Sequence, residues 1–185
     1  MPQFEVLSRR RVYDGWAKLD ELEIRTDAQP SQKRLIVEAG DAAAVVLHNA
    51  ETDKLLFVRQ LRVPLERHGD TNPLEIVAGK VDDRESAADA ALREVEEEVG
   101  HRLESLEPVR EMYPSAGILS EKVSIFYGRI SEQTNISGGG GDSTEELEFV
   151  ELSPSEAFRR LDAGEIRDAK TIIGLMWLRR RLEIA

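Results

Sequence analysis

The sequence contains no cysteine, which excludes disulfide bonds and zinc sites built from thiolates. It also has no apolar run near the roughly 18 to 20 residues that a membrane-spanning helix requires. Its N-terminal stretch lacks the apolar core of a secretory signal. From these absences we expect a cytoplasmic protein with no membrane partner.

Positive charge is also scarce, with 25 Lys and Arg against 36 Asp and Glu and a formal net charge of −11. This balance argues against nucleic acid, which proteins bind largely through its phosphates. It suits a protein that holds divalent cations, but many acidic proteins bind none. At 185 residues, with 41% hydrophobic and 33% charged residues, the chain should form one globular domain, alone or with a small appendage.

The appendage is expected at the N-terminus. Residues 4–27 mix apolar and charged side chains around an Asp-Gly turn signal, which predicts an antiparallel hairpin or meander. Residues 26–33 are predicted as a loop, and Gln32–Glu38 as a further strand. So small a β unit is only marginally stable alone. We therefore expect residues 1–40 to lean on the remainder of the chain or on a second subunit.

Residues 41–185 are expected to form the main domain. Apolar runs predict strands over 42–47, 54–63, 74–77, 109–113, 122–130 and 147–152. Helices are predicted from Glu85, from Ser153 and from Ala169. The polar segment 131–146 contains four consecutive glycines, but no phosphate-loop lysine or helix start follows them, so we expect a loop. Strands interleaved with helices predict an α/β fold with a mixed sheet flanked by helices.

The first of these helices carries an acidic cluster. Ser86 suits the N-cap and Gly100 the left-handed position after the C-terminus. Turning the helix by about 100° per residue groups Glu94, Glu97 and Glu98 on one stripe, apart from the apolar side. Each like-charge pair costs about 0.2–0.5 kcal/mol. The cluster is therefore either a solvated acidic face or a site for cations.

The spacing of the surrounding residues favours the cation site. The segment Gly79–His101 matches the Nudix box at every fixed position but the last, where His101 replaces an aliphatic residue. The matching residues are Gly79, Glu85, Arg93, Glu94, Glu97, Glu98 and Gly100. The chain therefore resembles Nudix hydrolases, and this resemblance implies an α/β/α sandwich that hydrolyses a substituted diphosphate.

The resemblance also implies a metal cofactor. Mg²⁺ or Mn²⁺ prefers carboxylate and carbonyl oxygens, completed by substrate phosphates and water. By position in the box, Glu94 and Glu98 are the principal ligands and Glu97 is a third. The backbone carbonyl of Ala78, which precedes the box glycine, is the expected backbone ligand.

The catalytic residues implied by the resemblance are Glu97, Arg93 and a carboxylate in the loop that follows the glycines. Spacing leaves Asp142, Glu145 and Glu146 as candidates for that carboxylate, of which we favour the last two. Arg93 is expected to orient a carboxylate, either Glu85 or a metal ligand, because a planar guanidinium can hold two oxygens at once.

A second resemblance concerns the substrate. Four segments resemble the ADP-ribose pyrophosphatase branch, and its GDP-mannose pyrophosphatase members in particular: Phe57–Arg62, Leu74–Gly79, Tyr113–Gly117 and Ala163–Thr171. This branch cleaves nucleoside diphosphosugars to a nucleoside monophosphate and a sugar phosphate. ADP-ribose and GDP-mannose both remain open, because Ala116 stands where ADP-ribose enzymes typically have proline.

The branch resemblance implies four substrate-binding residues, namely Arg62, Glu75, Gly117 and Glu121. Of these, Arg62 would contact the diphosphate or the terminal sugar, and Glu121 would lie near the metals or the sugar. Branch members are homodimers that exchange their N-terminal β unit, which would explain the marginal unit at residues 1–40. A homodimer is therefore expected.

Three other functions compete with this one, of which RNA decapping is disfavoured by the net charge of −11 and the absence of a basic groove signal. A nucleotide-sugar-sensing regulator with an inactive box would be expected to lose metal-binding carboxylates, yet all three are present. A hydrolase of damaged nucleoside triphosphates would be more compact, without the N-terminal extension and the C-terminal tail. The three metal-binding carboxylates and the added terminal segments therefore favour a diphosphosugar pyrophosphatase.

Overall fold

The computed structural model describes residues 3–101, 103, 106–130 and 147–184. The chain divides into two compact units. The first comprises Met1–Asp41 and Tyr113–Lys122, and the second comprises Ala42–Met112 and Val123–Ala185. Within the described ranges, no helix is long and apolar enough to cross a membrane.

The first unit contains β1 (Phe4–Asp14), β2 (Lys18–Thr26) and β3 (Gln29–Glu38). The three strands form one antiparallel sheet in that order. The loop predicted over residues 26–33 is wrong in extent, because Thr26 pairs with Gln29 and leaves a two-residue turn. Pro30 is tolerated in β3 because β3 is an outer strand of this sheet, where a missing N–H costs least.

A cluster of ion pairs stabilises the sheet of the first unit. The buried carboxylate of Asp20 on β2 accepts hydrogen bonds from Arg11 and Arg9 on β1. Arg9 also donates to Glu38 on β3, at 2.5 Å between Nη2 and Oε1. The hydrogen bond from Arg11 and that from Arg9 outweigh the effect of burial and lower the pKa of Asp20 to about 2. Asp20 therefore holds adjacent strands together as a carboxylate.

The second unit is built on a larger sheet. Its strands are β4 (Ala42–Asn49), β5 (Lys54–Arg59), β6 (Leu74–Glu75), β7 (Val77–Lys80), β8 (Leu106–Met112), β9 (Val123–Ile130) and β10 (Glu148–Leu152). The main order is β10-β5-β4-β9-β8. The pairing of β4 with β9 is parallel and the other pairings are antiparallel, so the sheet is mixed, as predicted.

Helices cover both faces of this sheet: α1 (Ala87–Glu94), α2 (Pro154–Asp162) and α3 (Ala169–Ile184). The central strand β4 is buried on both sides. Ala44 and Val46 belong to the core that includes α2 and α3, while Ala43, Val45 and Leu47 belong to the core that includes α1. Because successive side chains of a strand alternate between faces, one apolar run supplies both cores. The predicted α/β/α sandwich is confirmed.

The segment Leu74–Lys80 forms a fork within the sheet. β6 pairs with β5, and β7 pairs with β4. The single strand predicted over 74–77 therefore divides at Ile76, where the chain passes from one neighbour to the other. β5 also ends earlier than predicted, at Arg59, and a 3₁₀ helix follows over Val63–His68. Pro64 lies in the first turn of this helix, where its missing N–H is tolerated.

The helix of the acidic cluster has the predicted caps, Ser86 and Gly100, although it begins at Ala87 and not at Glu85. The Ser86 side chain accepts the N–H of Asp89 at 3.1 Å, and Gly100 has φ +77°. Between these caps the geometry differs from the single α-helix predicted, because Val95–Val99 form a wider π-helical turn. This turn keeps Val95 and Val99 fully buried. Such turns frequently occur at functional sites.

Candidate active site

The close approach of helix α1 to strand β7 defines the candidate site. A Cβ atom built on Gly79 would lie only 1.9 Å from Cδ of Glu94 and 2.1 Å from its Oε1. Only glycine therefore lets the carboxylate of Glu94 rest against the strand backbone. This contact brings the carboxylate beside the residue that follows Ala78, the predicted backbone ligand.

Arg93 connects the carboxylates around this contact. Its Nε and Nη2 atoms donate to the two oxygens of Glu85, each at 3.0 Å. Nη1 donates to Glu94 at 2.7 Å and to Glu97 at 3.1 Å, and Nη2 also reaches the carbonyl of Lys80 at 2.8 Å. Arg93 therefore binds both of the partners considered from the sequence, Glu85 and the metal-ligand candidate Glu94. Arg93 fixes the helix against the loop and strand before it.

The electrostatic environment of these carboxylates differs from one to the next. The hydrogen bond from Arg93 and that from the backbone of Asp82 lower the pKa of Glu85. The pKa of Glu94 is raised, because burial and the charges of Glu97 and Glu85 outweigh the contacts with Arg93. The Glu94 side chain is only 13% exposed, against 51% for Glu97. Glu94 is therefore a half-buried carboxylate whose charge is incompletely compensated.

The donor types at this site fit a hard divalent cation. Glu94, Glu97, Glu98 and the Ala78 carbonyl offer only oxygen ligands, and glycine at position 79 gives the Glu94 carboxylate its place. Across the residues that the structure describes, no group of three or more His, Cys, Asp or Glu side chains is gathered closely enough to hold a metal ion. Glu94 and Glu97 instead converge on Arg93.

A second charged cluster lies beside β6. Glu75 is 3% exposed and accepts two hydrogen bonds from Arg62, at 2.7 Å from Nε and 3.0 Å from Nη2. The Lys170 ammonium donates to the same carboxylate and, at 2.9 Å, to Asp168. Burial raises the pKa of Glu75, but the hydrogen bond from Arg62 and the charge of Lys170 lower it by more, so the net shift is downward. Glu75 is thus a buried carboxylate between two cations.

The sequence singled out Arg62 and Glu75, and the structure brings them together. Lys170 was missed as a member of the cluster, although it lies within the C-terminal segment Ala163–Thr171 that carried the resemblance. A signal was present, since a lysine in the first turn of a helix opposes the helix dipole and suggests a nearby carboxylate.

The four remaining predicted site residues lie in the first unit or outside the described residues. Gly117 and Glu121 belong to the first unit, Gly117 in the turn that follows Tyr113. Their part in substrate binding stays a prediction. Glu145 and Glu146 lie outside the described residues, as does the glycine-rich segment before them, and their catalytic role is likewise a prediction.

Known proteins resemble this chain in sequence and in fold. The Nudix domain family matches residues 38–173. The chain is 35% identical over 151 residues to a GDP-mannose pyrophosphatase from Cronobacter sakazakii, covering 80% of this chain and 78% of that protein. It is 31% identical over 148 residues to a GDP-mannose pyrophosphatase from Citrobacter koseri, covering 79% and 77%.

A solved structure described as an ADP compounds hydrolase has a TM-score of 0.77 with this chain. The match covers 98% of this chain and 94% of the chain in that structure. The sequence identity is 20%, so the likeness concerns the fold alone. Together with the family match and the Gly79–Glu94 contact, these findings show that the chain belongs to the Nudix hydrolase family. The family predicted from the sequence is confirmed.

Proposed function

We propose that this chain hydrolyses the diphosphate bond of a nucleoside diphosphosugar, giving a nucleoside monophosphate and a sugar phosphate. The observation that carries the proposal is the Glu94 carboxylate, which is held on Gly79 and tied through Arg93 to Glu85. The names of the relatives that are 31–35% identical favour GDP-mannose over ADP-ribose as the first substrate to test.

The proposed cofactor is Mg²⁺ or Mn²⁺, held by Glu94, Glu97, Glu98 and the carbonyl of Ala78. When bound, such a cation neutralises phosphate charge and promotes attack by water. In the reaction, the oxygen of water bonds to one phosphorus while the bond from that phosphorus to the bridging oxygen breaks. A carboxylate accepts the proton that water loses, and we propose Glu97, Glu145 or Glu146 for this role.

Other side chains are proposed to hold the substrate and the ligands in place. Arg93 keeps the Glu94 carboxylate on the strand through its contacts with Glu85 and Lys80. Arg62, whose side chain is 39% exposed and is anchored on Glu75, would contact the diphosphate. Gly117 and Glu121 complete the proposed set of substrate-binding residues.

We further propose a cytoplasmic homodimer that binds neither nucleic acid nor membrane. The net charge of −11 supports the exclusion of nucleic acid. The β unit of residues 1–40 is proposed as the dimerisation unit, with the main domain over 41–185. In support, β1 and the turn after it expose several large apolar side chains: Phe4, Val6, Leu7, Val12, Tyr13 and Trp16, the last of them 80% exposed. Exposed apolar patches of this kind often mark interfaces.

The test is hydrolysis of GDP-mannose, ADP-ribose, ADP-glucose, dinucleoside polyphosphates and dGTP, with Mg²⁺ or with EDTA. The variants are Glu94→Gln and Glu98→Gln, and the matched control is Glu96→Gln on the exposed side of the same turn. We expect Mg²⁺-dependent release of a nucleoside monophosphate from a diphosphosugar. Each of the two ligand variants should lose more than about a hundredfold in kcat/KM, and the control should keep its activity.

Two results would contradict the proposal. Hydrolysis of dGTP alone would indicate a triphosphate hydrolase. Tight binding of a nucleotide sugar without turnover would indicate a sensor. Retention of activity by both ligand variants would separately refute the metal assignment.

A further inference from the structure

The first turn of α3 is built into the fork between β6 and β7. The backbone N–H of Ile76, at the point where the chain changes neighbours, donates to the Thr171 hydroxyl at 2.9 Å. That hydroxyl in turn donates to Asp168 at 2.6 Å, and the Asp168 carboxylate also accepts the N–H of Thr171. Thr171 is fully buried. The start of the helix is therefore fixed relative to Glu75, the residue before Ile76.

Lys170 lies between two carboxylates as a result. Its ammonium donates to Glu75 on one side and to Asp168 on the other. The side chain is only 14% exposed, so the position of its charge is well defined. The four charges of this cluster, two positive and two negative, cancel. Removing the charge of Lys170 would leave the cluster with a net charge of −1.

Arg62 is the member of the cluster that is most exposed. Two of its nitrogens donate to Glu75, and its side chain is 39% exposed while Glu75 is buried. With Lys170 the cluster is neutral, whereas without it the charges of Glu75 and Asp168 would outnumber that of Arg62 and leave a net charge of −1. An anion that approaches from solvent would then meet little net attraction, since potentials from neighbouring charges sum.

We propose that Lys170 is a positioning residue for diphosphate binding, which offsets the negative charge of Glu75 and Asp168 so that Arg62 can attract the substrate. The inference rests on the proposed function of Arg62 at a diphosphate. It assigns a role to the C-terminal segment Ala163–Thr171, which contains no proposed catalytic or metal-binding residue. Lys170 acts through Glu75 and Arg62 and need not contact the substrate.

The test compares Lys170→Gln, which keeps a hydrogen-bond donor but removes the charge, with Lys170→Arg, which restores the charge. The matched control is Lys54→Gln, which removes one positive charge at the start of β5, about 13 Å along the strand from the partner of Glu75. Lys170→Gln should raise the KM for the diphosphosugar about tenfold and leave kcat within about twofold. Lys170→Arg should restore KM, and Lys54→Gln should not change it.

A binding measurement separates this inference from the proposed function. The probe is imidodiphosphate with Mg²⁺, titrated calorimetrically, because it needs no turnover. Lys170→Gln should bind it about tenfold more weakly than the wild type. If no diphosphosugar is hydrolysed but this loss is seen, the proposed function fails and the inference stands.

Other outcomes overturn the inference while the proposed function stands. In the first, Lys170→Gln hydrolyses the diphosphosugar with the KM and the imidodiphosphate affinity of the wild type. In the second, Lys170→Gln lowers kcat without changing KM. In the third, Lys170→Arg does not restore binding. An equal loss in Lys54→Gln would also overturn it, because the effect would then reflect net charge alone. Absence of imidodiphosphate binding by the wild type would have the same consequence.

Discussion

Replacing Gly79 with alanine would place a methyl group where the Glu94 carboxylate now lies. The added Cβ would be 1.9 Å from Cδ of Glu94, whereas ordinary contacts of this kind begin near 3.4 Å. The carboxylate must therefore move by about 1.5 Å or more. The atoms displaced belong to the end of a flexible side chain, and the backbone of Gly79 is extended, a conformation that alanine adopts without strain.

This geometry predicts that activity and stability will respond differently. A misplacement of about 1 Å at a catalytic site can cost about a hundredfold in rate, so the Gly79→Ala variant should lose at least that much in kcat/KM. Its affinity for Mn²⁺ should fall as well, since Glu94 is a proposed ligand. The free energy of unfolding should change by less than about 1 kcal/mol. The stability that alanine adds over glycine in a strand roughly offsets the contacts that the displaced Glu94 side chain loses.

Gly174→Ala provides the matched control. Its added Cβ would lie 2.5 Å from Cγ2 of Val46 in the core beneath α3. Val46 is buried and stiff at χ1, so overpacking should cost about 1–3 kcal/mol, reduced by up to about 1 kcal/mol because alanine favours the helix. The folded control should remain active. For both variants, urea denaturation measures the free energy of unfolding and steady-state kinetics measure kcat/KM. Titration with Mn²⁺ followed by electron paramagnetic resonance measures the affinity for the metal.

Two outcomes would refute the reasoning. A folded Gly79→Ala variant with activity within about threefold of the wild type would show that the position of Glu94 on the strand is not required. A Gly79→Ala variant that unfolds would show that Gly79 is needed for packing. In that case Glu94 could not be the flexible element of the site.

Two further predictions concern stability. Thr171→Val should lower the free energy of unfolding by about 1–3 kcal/mol, because the Ile76 N–H loses its acceptor in a buried position; an unchanged urea midpoint would contradict this. Asp20, with a pKa lowered from 3.8 to about 2, should stabilise its sheet above pH 4 and lose that effect as the pH falls toward 2. Thermal melts from pH 5 to 2 should therefore decline more steeply for the wild type than for Asp20→Asn, and parallel declines would count against the role of Asp20.

Local features of this fold were predictable because they depend on neighbouring residues. Ser86 caps α1 since a hydroxyl can accept an N–H of the first turn, and Gly100 ends the helical segment because it adopts a positive φ at little cost. The apolar run of β4 predicted a strand, and the strand is buried on both faces, because only such a position covers every apolar side chain. The spacing from Gly79 to Glu98 identified the candidate metal site, because one strand and one helical segment contain all of its proposed ligands.

The sequence by itself thus determined the α/β fold, the Nudix family and the acidic helix, each of which follows from patterns within a short stretch. Only the tertiary structure decided the partners of those residues. The fork at Ile76 and the placement of Lys170 on Glu75 depend on segments that are distant in the chain. Residues 95 positions apart meet there because the sheet and α3 pack together. Burial then makes each hydrogen bond and charge pair between them obligatory.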